Sequence, residues 1–271
     1  MSIRYQQISK KPRTFQRLAG VKVAEFQAIC ERVKPLWVER IERRKRLAGR
    51  PSAFKTLEDR MLALLIYYRT YVTHEFIGYL FNVHNANVCR LFKRLEPLMA
   101  QKLTMRKDRS LTADKVLELL ADVTEQPIQR PVKAAKQKAF YSGKKKRHTR
   151  KVEIVMEATG RIVSLSKSYP GRYTEKPLPL RAEKWVDSGY QGLQKRTPFV
   201  WLPYKRRKQQ PLPSGQKQFN RQQASFRARI EHKIREFKVF KILSATYRNF
   251  GKKHHLRYNI IAGMLNGRYG F

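Results

Sequence analysis

The spacing of apolar residues changes character near residue 105 of this 271-residue chain, and that switch limits the fold more than any other feature. Before it, apolar residues recur at helical intervals. Val21, Val23, Phe26, Ile29, Val33, Leu36 and Val38 predict a helix over residues 15 to 45, interrupted at Pro35. A basic loop, ERRKRLAGRPSAFK, follows. Thr56 then reads as the N-cap of a second helix, with Glu58 and Asp59 in its first turn and Met61, Leu64, Leu65 and Tyr68 on its apolar face. Residues 73–82 and 86–99 predict two shorter helices around a VHNA connector, the proportions of a helix-turn-helix spanning about 56–99. Phe76, Ile77, Leu80 and Phe81 are expected to pack the first of this pair down, and Val88, Leu91, Phe92 and Leu95 to hold the second.

After residue 105 the period becomes that of strands. VLELLADVT reads as a buried strand ending in a turn around Asp122. Val152, Ile154 and Met156 alternate, Ala158-Thr159-Gly160 turns the chain, and Ile162, Val163 and Leu165 return it as a hairpin. EKWVDSGYQG and TPFVWLPYKR give two more short strands, followed by a long helix over 216–238 and helical character over 252–266. The expected organisation is a helical region over 1–105 and an α/β domain with a mixed sheet over 110–271.

Charge indicates the partner. With 60 Lys and Arg against 20 Asp and Glu, the formal charge is +40, enough to attract polyanions over a distance. Nucleic acid is the expected ligand, since neutralised phosphates release counterions whatever the base sequence. A 41% hydrophobic fraction excludes a basic disordered tail. No apolar run reaches a membrane span; the longest lies around Met61 to Tyr68. Cys30 and Cys89 form neither a metal spacing nor a disulfide framework, and no secretion signal is visible at the start, so a cytoplasmic protein of the nucleoid is expected. On the helix-turn-helix, Asn85, Asn87, Arg90, Lys93 and Arg94 would face DNA, the Asn and Arg reaching base edges and the Lys phosphate. The run Lys144, Lys145, Lys146, Arg147 would hold the substrate backbone beside a cutting site.

Only five aspartates occur, so each is informative on so cationic a surface. Asp122 and Asp187 sit at the ends of predicted strands and Glu231 in the long helix, 65 and then 44 residues apart. Carboxylates gathered from such distances are what a protein needs to bridge two divalent ions against a phosphodiester. Three suffice for magnesium, which keeps several of its waters. The residues thus point to a metal-dependent enzyme that cuts DNA.

The motifs themselves resemble the DDE transposases of bacterial insertion sequences, in particular the insertion-sequence-five group. ADVTEQPI is similar to the first-aspartate motif, FYSGKKKRHTRK to the basic hairpin lead, DSGYQG to the second-aspartate motif, and SFRARIEHKIREFKVFKIL with TYRNF to the third-carboxylate helix. The stretch from LEDRMLALLIYYRTYVTHEFIGYLF onward resembles the upstream DNA-binding segment, so the likeness runs from about residue 50 to 268. It implies an RNase H-like catalytic domain after an all-α helix-turn-helix domain. It also implies two Mg²⁺ or Mn²⁺ ions on Asp122, Asp187 and Glu231, and cleavage and strand transfer at inverted repeats by a homo-oligomer assembled on double-stranded DNA. Arg227 and Lys238 match the arginine and lysine that the family places around the glutamate, where both would touch phosphate. Two positions depart from the pattern. Ala224 stands where related helices carry tyrosine, and Gly171-Arg172 is followed by no His-Asp pair, which shortens the 171–186 segment. The competing expectation is a catalytically impaired, transposase-derived DNA-binding protein or repressor.

Overall fold

The computed structural model describes residues 2–42, 52, 54–103, 119–172, 184–186, 200–206, 210–249 and 253–267. In chain order its elements are α1 (Tyr5–Ile8), α2 (Pro12–Ala19), α3 (Val23–Trp37), α4 (Leu57–Thr70), α5 (His74–Phe81), α6 (Asn85–Leu103), β1 (Leu119–Pro127), α7 (Ala134–Phe140), β2 (Tyr141–Ser142), β3 (Arg147–Glu157), β4 (Ile162–Leu165), β5 (Tyr169–Pro170), β6 (Lys184–Trp185), β7 (Val200–Trp201), α8 (Ser214–Val239), α9 (Lys241–Ser244) and α10 (His254–Asn266). Two compact units result. One comprises Met1–Thr104, Lys238–Tyr247 and Leu256–Phe271; the other comprises Met105–Phe237 and Arg248–His255.

Among the described residues, the elements of the first unit are all helices. Its centre is α4, buried on every side from Met61 to Tyr68 rather than on the single face that periodicity suggested. Thr56 caps it as expected, its hydroxyl accepting from the Asp59 amide at 3.1 Å. Asp59 also turns inward, accepting from the Tyr5 amide at 2.8 Å and pairing with Arg4 at 3.3 Å. The helix expected over 15–45 is divided at Gly20, whose φ of 80° ends α2 and whose Cα lies against the Phe240 ring. Pro35 does not interrupt it there; it sits in the last turn of α3, after which Val38–Glu42 continues as a π-helical turn. In the helix-turn-helix, α5 and α6 are joined by three residues instead of four, with Asn82 left-handed at φ 52°. Ile77, Phe81, Val88, Leu91, Phe92 and Leu95 are buried, but Phe76 is 49% exposed and takes no part in that core.

A buried polar network completes this unit. Glu96, fully buried, accepts from Arg257 Nε at 2.9 Å and from the Tyr68 hydroxyl at 3.1 Å, while Arg257 Nη1 donates to the Tyr247 hydroxyl at 3.2 Å. Burial would lower the Arg257 pKa, but Glu96 and the surrounding tyrosines outweigh it and raise it.

The second unit is built on one mixed sheet. β1 and β3 pair antiparallel over nine residues, from Leu119↔Glu157 to Pro127↔Thr149. On the far edge of β3 lie β2, β5 and β4 in turn, while β6 pairs parallel with β1 and β7 parallel with β6. An antiparallel meander extended by parallel strands, with helices flanking it, is the arrangement the RNase H-like resemblance implies. The hairpin turns at Gly160 as expected, with φ 91°. Val152, Ile154 and Met156 do not alternate with exposed residues, since Glu153 and Val155 are buried too. Helix α7 had no apolar period to announce it.

Candidate active site and nucleic-acid interface

Alternation along β1 sorts its side chains onto two faces. Leu119 and Ala121 join Val155, Val163, Val186, Val200 and Leu202 in a core on one side. Leu120, Asp122, Thr124 and Gln126 therefore occupy the other. Asp122 is not at a strand end, as expected from the sequence, but fourth of nine residues, opposite Ile154 and half-buried. Strand continues beyond it because Thr124 and Gln126 are buried by pairing rather than by hydrophobicity; the Gln126 amide oxygen lies 3.0 Å from His254 Nε2. The Val123 amide donates to Asp122 Oδ1 at 2.7 Å, which orients the carboxylate.

Helix α8 covers this same face. Trp185 is the register partner of Leu120, and partners in adjacent strands point the same way. Phe226 and Phe219 of α8 stack on the Trp185 ring at 5.5 and 5.8 Å, with Trp201 5.8 Å away in the neighbouring strand. Gln223 locks the helix in place. Its buried Nε2 donates to both Val186 O and Trp201 O at 3.1 Å, tying α8 to the ends of the two parallel strands. No sequence signal singled out Gln223; it is one of four glutamines in a basic helix, and such residues read as surface.

Glu231 lies about two turns beyond Gln223 on that helix. The buried stripe of α8 runs through Gln223, Ile230, Ile234 and Phe237, and Glu231 is exposed at its margin, about 100° round from Ile230. Arg227, half-buried, and Lys238, exposed, share that margin one turn before and two turns after. Asp122 and Glu231 thus stand on two elements packed at one sheet face. Asp187, the residue after Val186, lies outside the described residues, as do 173–183 of the shortened segment. Among the described residues no three His, Cys, Asp or Glu side chains cluster as a metal site.

The expected DNA-facing residues are displayed on both units. Asn87, Arg90, Lys93 and Arg94 are exposed along α6, with Arg90 Nη1 donating to Asn87 Oδ1 at 3.0 Å. Asn85 is half-buried and bonded to Glu75 of α5, so it braces the pair of helices. Lys144, Lys145, Lys146 and Arg147 are all exposed, the three lysines in the turn before β3 where Lys146 is left-handed at φ 52°. No helix among the described residues is long and apolar enough to cross a membrane.

The family model for the DDE superfamily endonuclease matches residues 121–266, and that for the helix-turn-helix of DDE superfamily endonuclease matches 56–104. Over 266 residues the chain is 32% identical to the "Probable transposase for insertion sequence element IS702" of Microchaete diplosiphon, covering 94% of each protein. It is 27% identical over 206 residues to the "Putative transposase for insertion sequence element IS112" of Streptomyces albus G, covering 72% of this chain and 73% of that one. No solved structure matches it.

Proposed function

This chain belongs to the DDE superfamily endonucleases, and from that premise we propose that it is the transposase of an insertion sequence, cutting and joining DNA at the element's ends. One observation carries the reading: Asp122 lies on the sheet face covered by the helix that bears Glu231. With Asp187, these are the carboxylates that would hold divalent metal. The donors are hard oxygens from a rigid strand and a braced helix, which fits Mg²⁺ or Mn²⁺ and two ions shared between them. What the metal supplies when bound is activation of the attacking water or 3′ hydroxyl and stabilisation of the leaving oxygen.

The remaining roles fall to the protein's own side chains. The Val123 amide holds Asp122 in one orientation, and Gln223 fixes the phase of α8 and hence where Glu231 stands. Arg227 and Lys238, at the Glu231 margin, engage phosphate beside the cut. Asn87 and Arg90 read base edges at the element's ends while Lys93 and Arg94 grip phosphate, with Asn85 positioning the helix. Lys144, Lys145, Lys146 and Arg147 hold the backbone of the DNA being cut. Two ends must be joined to target DNA, so the working form is a homo-oligomer on double-stranded DNA.

The test is cleavage of duplex carrying the element's ends. Asp122→Ala, Asp187→Ala and Glu231→Ala should each bind this DNA as the parent does and fail to cut it. If the parent itself binds but never cuts with magnesium or manganese, the chain is the binding-only repressor instead.

A further inference from the structure

Six residues along β3 from Ile154, the partner of Asp122, the second unit contains a cationic groove with a cavity of about 690 Å³ at the β2–β3 edge of the sheet. Arg130, Gln137, Lys138, Tyr141, His148 and Arg172 line it, with no carboxylate among the described lining residues. Local structure positions most of them. The β2–β3 register sets Tyr141 opposite His148, and their rings meet edge to face at 5.7 Å and 72°. Arg130 Nη2 donates to Gln137 Oε1 at 3.1 Å, and Gln137 Nε2 in turn donates to Val132 O at 3.3 Å, which ties the guanidinium to α7. The Arg172 amide donates to Ala139 O at 3.0 Å. That contact depends on Gly171, where a Cβ would strike Thr149 Oγ1 and stand 2.5 Å from Phe140 O.

Three basic side chains and a tyrosine ring that is 43% exposed present both phosphate ligands and a flat apolar face. A duplex offers phosphates, but its bases are stacked on one another and have no free face for Tyr141. An unpaired nucleotide offers both. We propose that this groove binds single-stranded DNA, with one unpaired base stacked on Tyr141 and its flanking phosphates held by Arg130, Lys138 and Arg172. The inference rests on the reading that the chain handles DNA, and adds to it a site for a strand separated from its complement near the cut.

The probe is a short fluorescein-labelled oligo-dT titrated with the full-length protein and followed by anisotropy, beside a labelled duplex of equal length. Loss of one stacked base corresponds to roughly tenfold in affinity. Tyr141→Ala should therefore weaken oligo-dT binding about tenfold and leave the duplex within about twofold, while Tyr141→Phe, which keeps the ring, should behave as the parent. Lys138→Ala with Arg172→Ala should lower the salt slope of oligo-dT binding by about 1.4, two contacts at about 0.7 each. The proposal is overturned if Tyr141→Ala leaves oligo-dT binding unchanged, or weakens the duplex equally, which would make the groove a duplex-backbone contact. A parent that binds duplex but not oligo-dT also sinks the groove and spares the transposase reading; a parent that binds neither sinks both.

Discussion

Replacing Arg257 by methionine leaves a side chain of similar length but no charge beside Glu96, which is fully buried on α6. Three interactions disappear together: the 2.9 Å bond from Nε to Glu96, the 3.2 Å bond from Nη1 to the Tyr247 hydroxyl, and the guanidinium's placement 5.8 Å from the Tyr67 and Tyr247 ring centres. Tyr68 still donates to Glu96 at 3.1 Å, so the carboxylate keeps one partner while losing its counter-charge. Removing one member of a buried ion pair costs about 3–5 kcal/mol, and with one bond retained the lower part of that range is expected. Converting both members, Arg257→Met with Glu96→Leu, leaves no stranded charge and should recover at least half of the loss. Urea unfolding of the full-length protein, read as the midpoint at constant slope, measures both. A cost below about 1 kcal/mol for Arg257→Met, or a double variant whose loss is the sum of the two singles, would refute the reasoning.

Three further outcomes follow from geometry. Gln223→Leu removes the donor shared by Val186 O and Trp201 O, so it should destabilise the second unit by about 2 kcal/mol in the same unfolding experiment and slow end cleavage by loosening α8. Gly20→Ala puts a Cβ at φ 80° and 2.7 Å from the Phe240 ring, and thermal unfolding should report a loss of about 1–2 kcal/mol or more. Burial pushes the Tyr247 hydroxyl up to about 12 from an ordinary value near 10. A raised folded-state value means the unfolded chain ionises first, so stability holds below pH 10 and falls between 10 and 12, by roughly 1.4 kcal/mol per pH unit for one proton; Tyr247→Phe should flatten that part of the pH–stability curve.

Where local chemistry decides structure, the sequence was legible. The Thr56 cap and the Gly160 turn rest on residues within a few positions of each other, and both formed as read. The helix bearing Glu231 was long enough for its period to show. Reading failed where a distant partner decides. Asp122 looked like a strand end because polar residues follow it, yet Gln126 is buried against His254, 128 residues later. Gln223 carried no signal, since its importance lies in two carbonyls on strands 37 and 22 residues away. Phe76 shows the opposite failure: an aromatic counted as core that the short helix turns outward. The proposed pairing of Asp122 with Glu231 on one face could not come from spacing alone, because it depends on Trp185 placing α8 over Leu120.

The central claim is that Asp122, Asp187 and Glu231 together hold divalent metal, and it is tested most directly by Mn²⁺ binding followed through the electron paramagnetic resonance signal of the free ion. The parent should take up two ions per chain, with DNA present to complete the site, and Asp122→Ala, Asp187→Ala and Glu231→Ala should each lose at least one of them. Uptake by all three variants equal to the parent's would contradict it.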